Sequence, residues 1–212
     1  MRMRKKPNLV PRMERCAEVH IKEPESFCGC WLENYNNFES LYLEIGCGKG
    51  KFTAETAESI PKTLLVAIER VPEAMVVGME RVTAKGLKNV RFIDCDAQKL
   101  AVLFVPGEVQ RIYINFCDPW PHARHAKRRL TSPGFLKLYW DIISPDGEIH
   151  FKTDNLPLFE YSLETFAENG WALSEVTRDL HKKGPNGVMT DYETKFYGEG
   201  IPINRLVAKR KK

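Results

Sequence analysis

From residue 41 onward, short apolar runs alternate with amphipathic segments, and this regularity leaves few folds open to the chain. Leu41–Ile45, Thr63–Ile68, Asn89–Ile93, Ile112–Phe116 and Glu148–Lys152 have the length and composition of buried strands. Lys51–Ser59, Pro72–Lys85, Gly134–Ile143 and Leu156–Asn169 read as helices, the third closed by the turn Ser144-Pro-Asp-Gly. Trp171–Arg178 and Arg205–Ala208 form a final pair of strands joined by a long loop. Alternation of this kind predicts an α/β fold, a mostly parallel sheet with helices on both faces. Residues 1–37, with Pro7, Pro11 and Pro24 and no clear period, predict a basic N-terminal arm ending in a short helix. Residues 38–212 are expected to form one domain.

In open parallel sheets, ligands bind beyond the carboxyl ends of the strands. Those ends carry Glu44, Glu69, Asp94 with Asp96, Asp118 and Asp154. One acid after a strand is often a cap or a turn residue. Five in succession point to one shared site.

The first strand runs into Glu44-Ile45-Gly46-Cys47-Gly48-Lys49-Gly50. Three glycines let the backbone turn tightly and approach a ligand closely. A nucleotide P-loop requires Gly-Lys-Ser/Thr, and here Phe52 follows Gly50-Lys51, with Ile45 where the first glycine belongs. A dinucleotide fingerprint fits Gly46 and Gly48 but fails at Lys51. Glu44 at the loop's mouth would repel a pyrophosphate and attract a cation. E-x-G-x-G-x-G resembles the first motif of class I S-adenosylmethionine-dependent methyltransferases, whose cofactor carries an ammonium and a sulfonium. On that reading Glu69 accepts from the ribose hydroxyls and Asp96 from the adenine amine, as charge-assisted hydrogen bonds.

The fourth strand leads into Asp118-Pro119-Trp120-Pro121 and then His122-Ala123-Arg124-His125-Ala126-Lys127-Arg128-Arg129. Each proline fixes its own φ and restricts its predecessor, so the carboxylate and indole are held stiffly. Basic side chains position phosphates, and aromatic faces stack on bases. The net charge of +4 hides an uneven distribution. Residues 1–15, 120–130 and 205–212 hold 15 of the 32 Lys/Arg and 1 of the 28 acids, leaving a body of −10. An acidic body with concentrated basic segments suits a polyanionic partner, although terminal runs are also common as solvated tails.

With 43% hydrophobic residues the chain is able to bury one core. No apolar run approaches the ~20 residues of a membrane span, and no apolar stretch follows MRMRKK as in a secretory signal. A cytoplasmic location is expected. The six cysteines form no paired chelating array, so neither zinc nor another metal is expected.

The run Asn115-Phe116-Cys117-Asp118-Pro119-Trp120-Pro121, continuing through Arg124, His125 and Lys127–Leu130, resembles the signature of bacterial tRNA (guanine-N7)-methyltransferases. So do LEIGCGKGKF, FKTDN at Phe151–Asn155, and TDYE at Thr190–Glu193. The resemblance covers roughly residues 38–208. It implies a single Rossmann-like class I domain with a seven-stranded, mostly parallel sheet and a C-terminal antiparallel strand. It implies methyl transfer from S-adenosylmethionine to N7 of a guanine in the tRNA variable loop. Glu44, Gly46, Gly48, Glu69, Asp96 and Asp118 would bind cofactor, with Asp118 also catalytic. Asp154, Thr190, Asp191, Tyr192 and Glu193 would recognise the target nucleotide. Arg124, His125, Lys127, Arg128 and Arg129 would touch RNA. The second position after Asp-Pro-Trp is often a substrate-contacting Lys in the family; here it is His122, a substrate residue of weaker phosphate affinity. The long Lys182–Asn204 loop, with TDYE in its middle, would close over the base as a flap.

Two other readings stay open on the sequence. An RNA amino-group methyltransferase resembles Asp-Pro-Pro-Tyr at the fourth strand, and Asp118-Pro119-Trp120 comes close to that. A non-catalytic RNA-binding protein on a methyltransferase fold is the other. The sequence is compatible with a monomer or a homodimer.

Overall fold

The computed structural model describes residues 8–211. The chain divides into two compact units, Met1–Phe104 and Val105–Lys212.

In the first unit, helices α1 (Leu9–Arg15) and α2 (Trp31–Asn34) precede β1 (Ser40–Ile45), α3 (Lys51–Ser59), β2 (Thr63–Glu69), α4 (Pro72–Ala84), β3 (Val90–Asp94) and the single turn α5 (Leu100–Leu103). The strands are parallel, in order β3-β2-β1, with Leu43 level with Val66 and Ala67 level with Phe92. β2 is apolar at nearly every position and buried from Thr63 to Ile68, as befits a strand covered on both faces. α4 begins on Pro72, whose missing N–H costs nothing in the first turn, and buries Met75, Met79 and Val82 at helical spacing. Asn89 is buried and its amide donates to the carbonyls of Ala57, Ile60 and Thr63, at 2.9, 3.1 and 3.1 Å. It thereby closes the turn between α3 and β2.

Residues 8–34 are more ordered than the irregular reading of the sequence implies. Arg12 forms a two-point pair with Glu80 of α4, at 2.7 and 2.6 Å. Ile21 N–H donates to Phe92 O at 2.9 Å. Trp31 is fully buried, donates from Nε1 to Leu103 O at 3.0 Å, and stacks on Phe27 and Phe104. A buried tryptophan removes a large apolar surface from water, so this contact adds to the Arg12 and Ile21 bonds in anchoring the segment. The part of the N-terminal basic run in residues 1–7 lies outside the described residues, as does Lys212.

In the second unit, β4 (Val109–Asn115), α6 (Pro133–Ile142), β5 (Ile143–Thr153), α7 (Leu156–Glu168), β6 (Trp171–Thr177), α8 (Asp191–Gly198) and β7 (Asn204–Arg210) follow in order. β4 and β5 are parallel, and β7 lies between β5 and β6, antiparallel to both. Its core includes Phe151 stacked on Phe159, and Trp171 edge-on to Phe166 and Trp140. The expected turn at Ser144–Gly147 is instead a bulge inside β5. Val109 pairs with Ile143 and Arg111 with Glu148, so the intervening residues loop out of register. Only glycine fits at 147, where a Cβ would sit 2.6 Å from Ile143 Cγ1 and 2.9 Å from Gln110 O. β4 ends one residue early because Phe116 turns into the left-handed region, at φ 53°.

The full strand order is β3-β2-β1-β4-β5-β7-β6, a seven-stranded sheet with one antiparallel strand. This is the Rossmann-like class I arrangement expected from the sequence.

Candidate active site

The glycine loop is held by the strand beside it. Gly46 N–H and Cys47 N–H both donate to Ile68 O, at 2.9 and 3.1 Å. Gly48 N–H donates to Glu69 Oε2 and Val71 N–H to Glu69 Oε1, each at 2.9 Å. Glu69 therefore ties the loop to the start of α4, and a carboxylate with about four lone-pair directions retains acceptor capacity. Gly46, Gly48 and Gly50 all have positive φ. A Cβ at Gly46 or Gly48 would meet nothing within 4 Å, so this stretch presents bare backbone to open space. At Gly50 a Cβ would lie 2.5 Å from Gly78 Cα, which makes that glycine a packing requirement.

Glu44 is buried, and its Oε2 accepts from Thr53 Oγ1 at 2.6 Å. Burial, followed by the charges of Glu44 and Glu69, pushes the Cys47 thiol far above its usual range, so it stays neutral. Asp96 caps the short turn after β3 by accepting from Gln98 N–H at 2.9 Å, and Arg70 lies 3.9 Å from its other oxygen. Asp94, level with Glu69 in the sheet, is held above the usual carboxyl range by burial and then by Glu73. Carboxylates of this kind, beside bare glycine backbone, match a cofactor with a cationic amino-acid end and hydroxyl and amine donors.

In the second unit, the Asp118 segment is a strained turn with a clamp. Phe116 and Trp120 both adopt positive φ, at 53° and 42°, which non-glycine residues rarely do. Phe116 N–H donates to Lys152 O at 2.9 Å. Arg129 holds the other end: Nε donates to Pro119 O at 3.1 Å and Nη2 to Trp120 O at 3.0 Å. The Arg129 guanidinium also lies over Tyr161, 4.2 Å from the ring centre. Arg129, expected among the RNA contacts, thus commits Nε and Nη2 to the turn.

The basic segment is a 3-10 helix, Ala123–Arg128. With three residues per turn, side chains three apart share a face. His125 and Arg128 lie on the Trp120 side, His125 edge-on at 5.6 Å and the Arg128 guanidinium 5.0 Å over the ring. Arg124 and Lys127 share another face, and both are exposed. His122 is exposed as well, edge-on to His125 at 5.9 Å.

A cleft of about 240 Å³ opens beside the turn, lined by Phe116, Cys117, Asp118, Pro119, Asp154, Asn155, Tyr192 and Phe196. It brings together Asp118, Asp154 and Tyr192 of the expected site residues. Thr190, Asp191, Glu193 and His122 are not in its lining. Among the described residues, no Lys, Arg or His lines it either. Burial and then the Asp118 charge push the Cys117 thiol up to about 12, so it is no nucleophile.

Glu193 is instead the centre of a buried network. Its carboxylate accepts from Lys152 Nζ at 2.7 Å, His181 Nε2 at 2.9 Å and Thr190 N–H at 3.2 Å. Asn186 N–H donates to His181 Nδ1 at 3.1 Å, which leaves the ring proton on Nε2. Lys152 Nζ also donates to Val188 O at 3.0 Å. Thr190 and Glu193 form a capping box that starts α8. The segment expected as a flap is therefore helical in part and pinned from inside.

Sequence reasoning missed Lys152, His181, Phe116 and Phe196. Two signals were present: a lysine within the apolar strand that holds Ile149 and Phe151, and the Thr-x-x-Glu spacing that starts a helix. Reading that helix puts Tyr192 and Phe196 on one face, four residues apart. Among the described residues, no group of His, Cys, Asp or Glu is arranged to hold a metal.

Residues 39–206 match the family Methyltransf_4, described as "Putative methyltransferase". The chain is 43% identical to a tRNA (guanine-N(7)-)-methyltransferase of Bacillus velezensis over 97% of its own length and 95% of that protein. It is 43% identical to one of Listeria monocytogenes over 99% of its length and 98% of that protein. Among solved structures, the 16S rRNA methyltransferase KamB superposes with a TM-score of 0.66 at 17% identity, covering 86% of this chain and 93% of that one. A likeness at that identity speaks to the fold. The sequence matches carry the assignment, and the chain belongs to the tRNA (guanine-N(7)-)-methyltransferase family.

Proposed function

We propose that this chain transfers a methyl group from S-adenosylmethionine to N7 of a guanine in the variable loop of tRNA. The observation that carries the reading, beside family membership, is the cleft: two exposed carboxylates, Asp118 and Asp154, placed to accept from the N–H groups of a purine and to face the positive charge that forms on it. Guanine N7 offers a lone pair and holds no proton, so no base is required.

S-adenosylmethionine supplies, when bound, a methyl on a sulfonium whose bond electrons return to sulfur as the methyl leaves. Glu44, Gly46, Gly48, Glu69, Asp96 and Asp118 would hold it. The bare backbone at Gly46 and Gly48 allows close approach, and Glu69 and Asp96 accept from hydroxyl and amine donors. N7 forms the new N–C bond with its own lone pair, no proton is lost, and the purine becomes cationic. Asp154 would accept from guanine N1–H and N2–H₂, with Asp118 near the reacting atoms. Alignment of N7 with the methyl supplies most of the effect, on the scale of several kcal/mol. Thr190, Asp191 and Glu193 act through α8, which sets Tyr192 against the cleft. Arg124, His125, Lys127, Arg128 and His122 would meet the phosphate backbone, and Arg129 positions the turn.

Among the described residues no helix is long and apolar enough to cross a membrane. We place the enzyme in the cytoplasm, as a monomer or homodimer. The reading is tested by methylating unmodified tRNA transcripts with labelled cofactor, then reducing and cleaving with aniline. One cut, in the variable loop, supports it; label without a cut would move the methyl to another atom.

A further inference from the structure

The cleft carries a feature that methyl transfer alone does not demand: its aromatic side is continuous. Phe116 lies 6.1 Å from Phe196 between ring centres, tilted by 44°, and Phe196 lies 6.3 Å from Tyr192, within 28° of parallel. All three line the cleft with Asp118 and Asp154. Tyr192 is 62% exposed, so its ring is a surface held out toward a ligand. The backbone works to keep this wall in place. Phe116 sits at a φ of 53°, and the Glu193 network fixes the first turn of α8, from which Tyr192 and Phe196 project.

The surroundings of the rings define the ligand. Basic residues crowd the neighbouring 3-10 helix, yet among the described residues none enters the cleft lining. A cleft with two carboxylates, three aromatic rings and, among the described residues, no cation repels phosphate and favours a flat, positively charged heterocycle. Aromatic faces carry negative quadrupole density and attract cations beyond what stacking gives a neutral ring.

From this we infer that Phe116, Tyr192 and Phe196 form a cation-selective wall that binds the N7-methylated, positively charged purine more tightly than guanine itself. The inference rests on the methyl-transfer reading above. Charge appears on the purine as the N–C bond forms, so a wall that prefers the cation stabilises the transition state more than the substrate. The same preference holds the product, which makes release a slow step.

The test uses the full-length protein and two nucleosides, guanosine and 7-methylguanosine, at a pH below the ionisation of the latter's N1–H so that the purine stays cationic. Affinity is measured by titration calorimetry, and tRNA methylation is assayed on the same preparation. The wild type should prefer 7-methylguanosine by about tenfold or more. Phe196→Leu and Tyr192→Leu should bring that ratio down toward unity and lower single-turnover methylation about tenfold at saturating tRNA, with KM little changed. Phe196→Tyr, which keeps a ring, should restore both. Equal affinity for the two nucleosides in an active wild type overturns the inference and leaves the function intact. So does a ratio that survives Phe196→Leu and Tyr192→Leu in folded protein. A wild type that methylates no tRNA sinks the functional reading instead.

Discussion

Lys152 and Glu193 meet 2.7 Å apart in the interior of the second unit, with side chains 9% and 0% exposed. The pair joins β5 to the first turn of α8, and it does so beside the cleft that holds Asp118 and Asp154. A buried ion pair is a weak source of net stability, but breaking it strands a charge. Its consequence here is placement: it fixes the helix that carries Tyr192 and Phe196.

Glu193→Ala leaves Lys152 without its carboxylate and removes the acceptor for His181. A cost of about 3 kcal/mol is expected, with the kcat for methylation reduced more than the tRNA KM rises. Urea unfolding and steady-state kinetics check it. An unchanged midpoint and unchanged kcat would show that the network does not position α8.

Gly50 and Gly78 touch backbone to backbone. A Cβ on Gly78 would sit 3.0 Å from Gly50 Cα and 3.1 Å from Phe92 Cε1, while one on Gly50 would also meet an unfavourable φ of 67°. Gly78→Ala should cost about 1–3 kcal/mol, and Gly50→Ala more. Because Gly50 ends the glycine loop proposed to hold the cofactor, Gly50→Ala should also weaken S-adenosylmethionine binding, read by calorimetry. Full affinity in Gly50→Ala would place the loop's function elsewhere.

The basic segment should separate into two kinds of residue. Arg124→Ala and Lys127→Ala remove exposed charges, so each should lower the slope of log affinity for tRNA against log salt by about 1. Arg129→Lys keeps the charge but has no planar fork to reach the carbonyls of Pro119 and Trp120. It should cut kcat about tenfold with the salt slope unchanged. A changed slope in Arg129→Lys would return that residue to the RNA contacts.

Acid stability should depend on Glu148. Burial opposes its ionisation, but His150 at 2.9 Å and the charges of Arg111 and Lys209 outweigh this and lower its pKa to about 2. The unfolded value is ~4.3, so between the two the unfolded chain binds more protons. The stabilisation is complete above the unfolded value and is lost as pH falls through about 2. Unfolding free energy measured across that window should fall with pH, and Glu148→Gln should flatten the slope. An identical slope in the variant would contradict the assignment.

Much of this was legible in the sequence because periodicity reports burial. The helix at Lys51–Ser59 matches its expected bounds, and β1–β4 match to within three residues, because each element's apolar spacing is unambiguous. The glycine loop was legible too, since few backbones need three glycines after a strand. What stayed hidden was set by tertiary contacts. Ser144-Pro-Asp-Gly has turn composition, yet pairing of Val109 with Ile143 absorbs it into β5 as a bulge. Residues 8–34 lack a period, and their order comes from Trp31, Arg12 and Ile21 docking on the rest of the first unit. The sequence offers Arg129 as an RNA contact and Glu193 as a contact to the target nucleotide, and only the fold reveals that one clamps a strained turn and the other is buried.

The most direct test of the central claim is the site of methylation on tRNA. Unmodified transcripts are incubated with labelled S-adenosylmethionine, reduced and cleaved with aniline, which cuts at N7-methylguanine. The account predicts one cut, in the variable loop, greatly reduced in Asp118→Asn. Incorporation of label without aniline cleavage, or cleavage undiminished in Asp118→Asn, would contradict it.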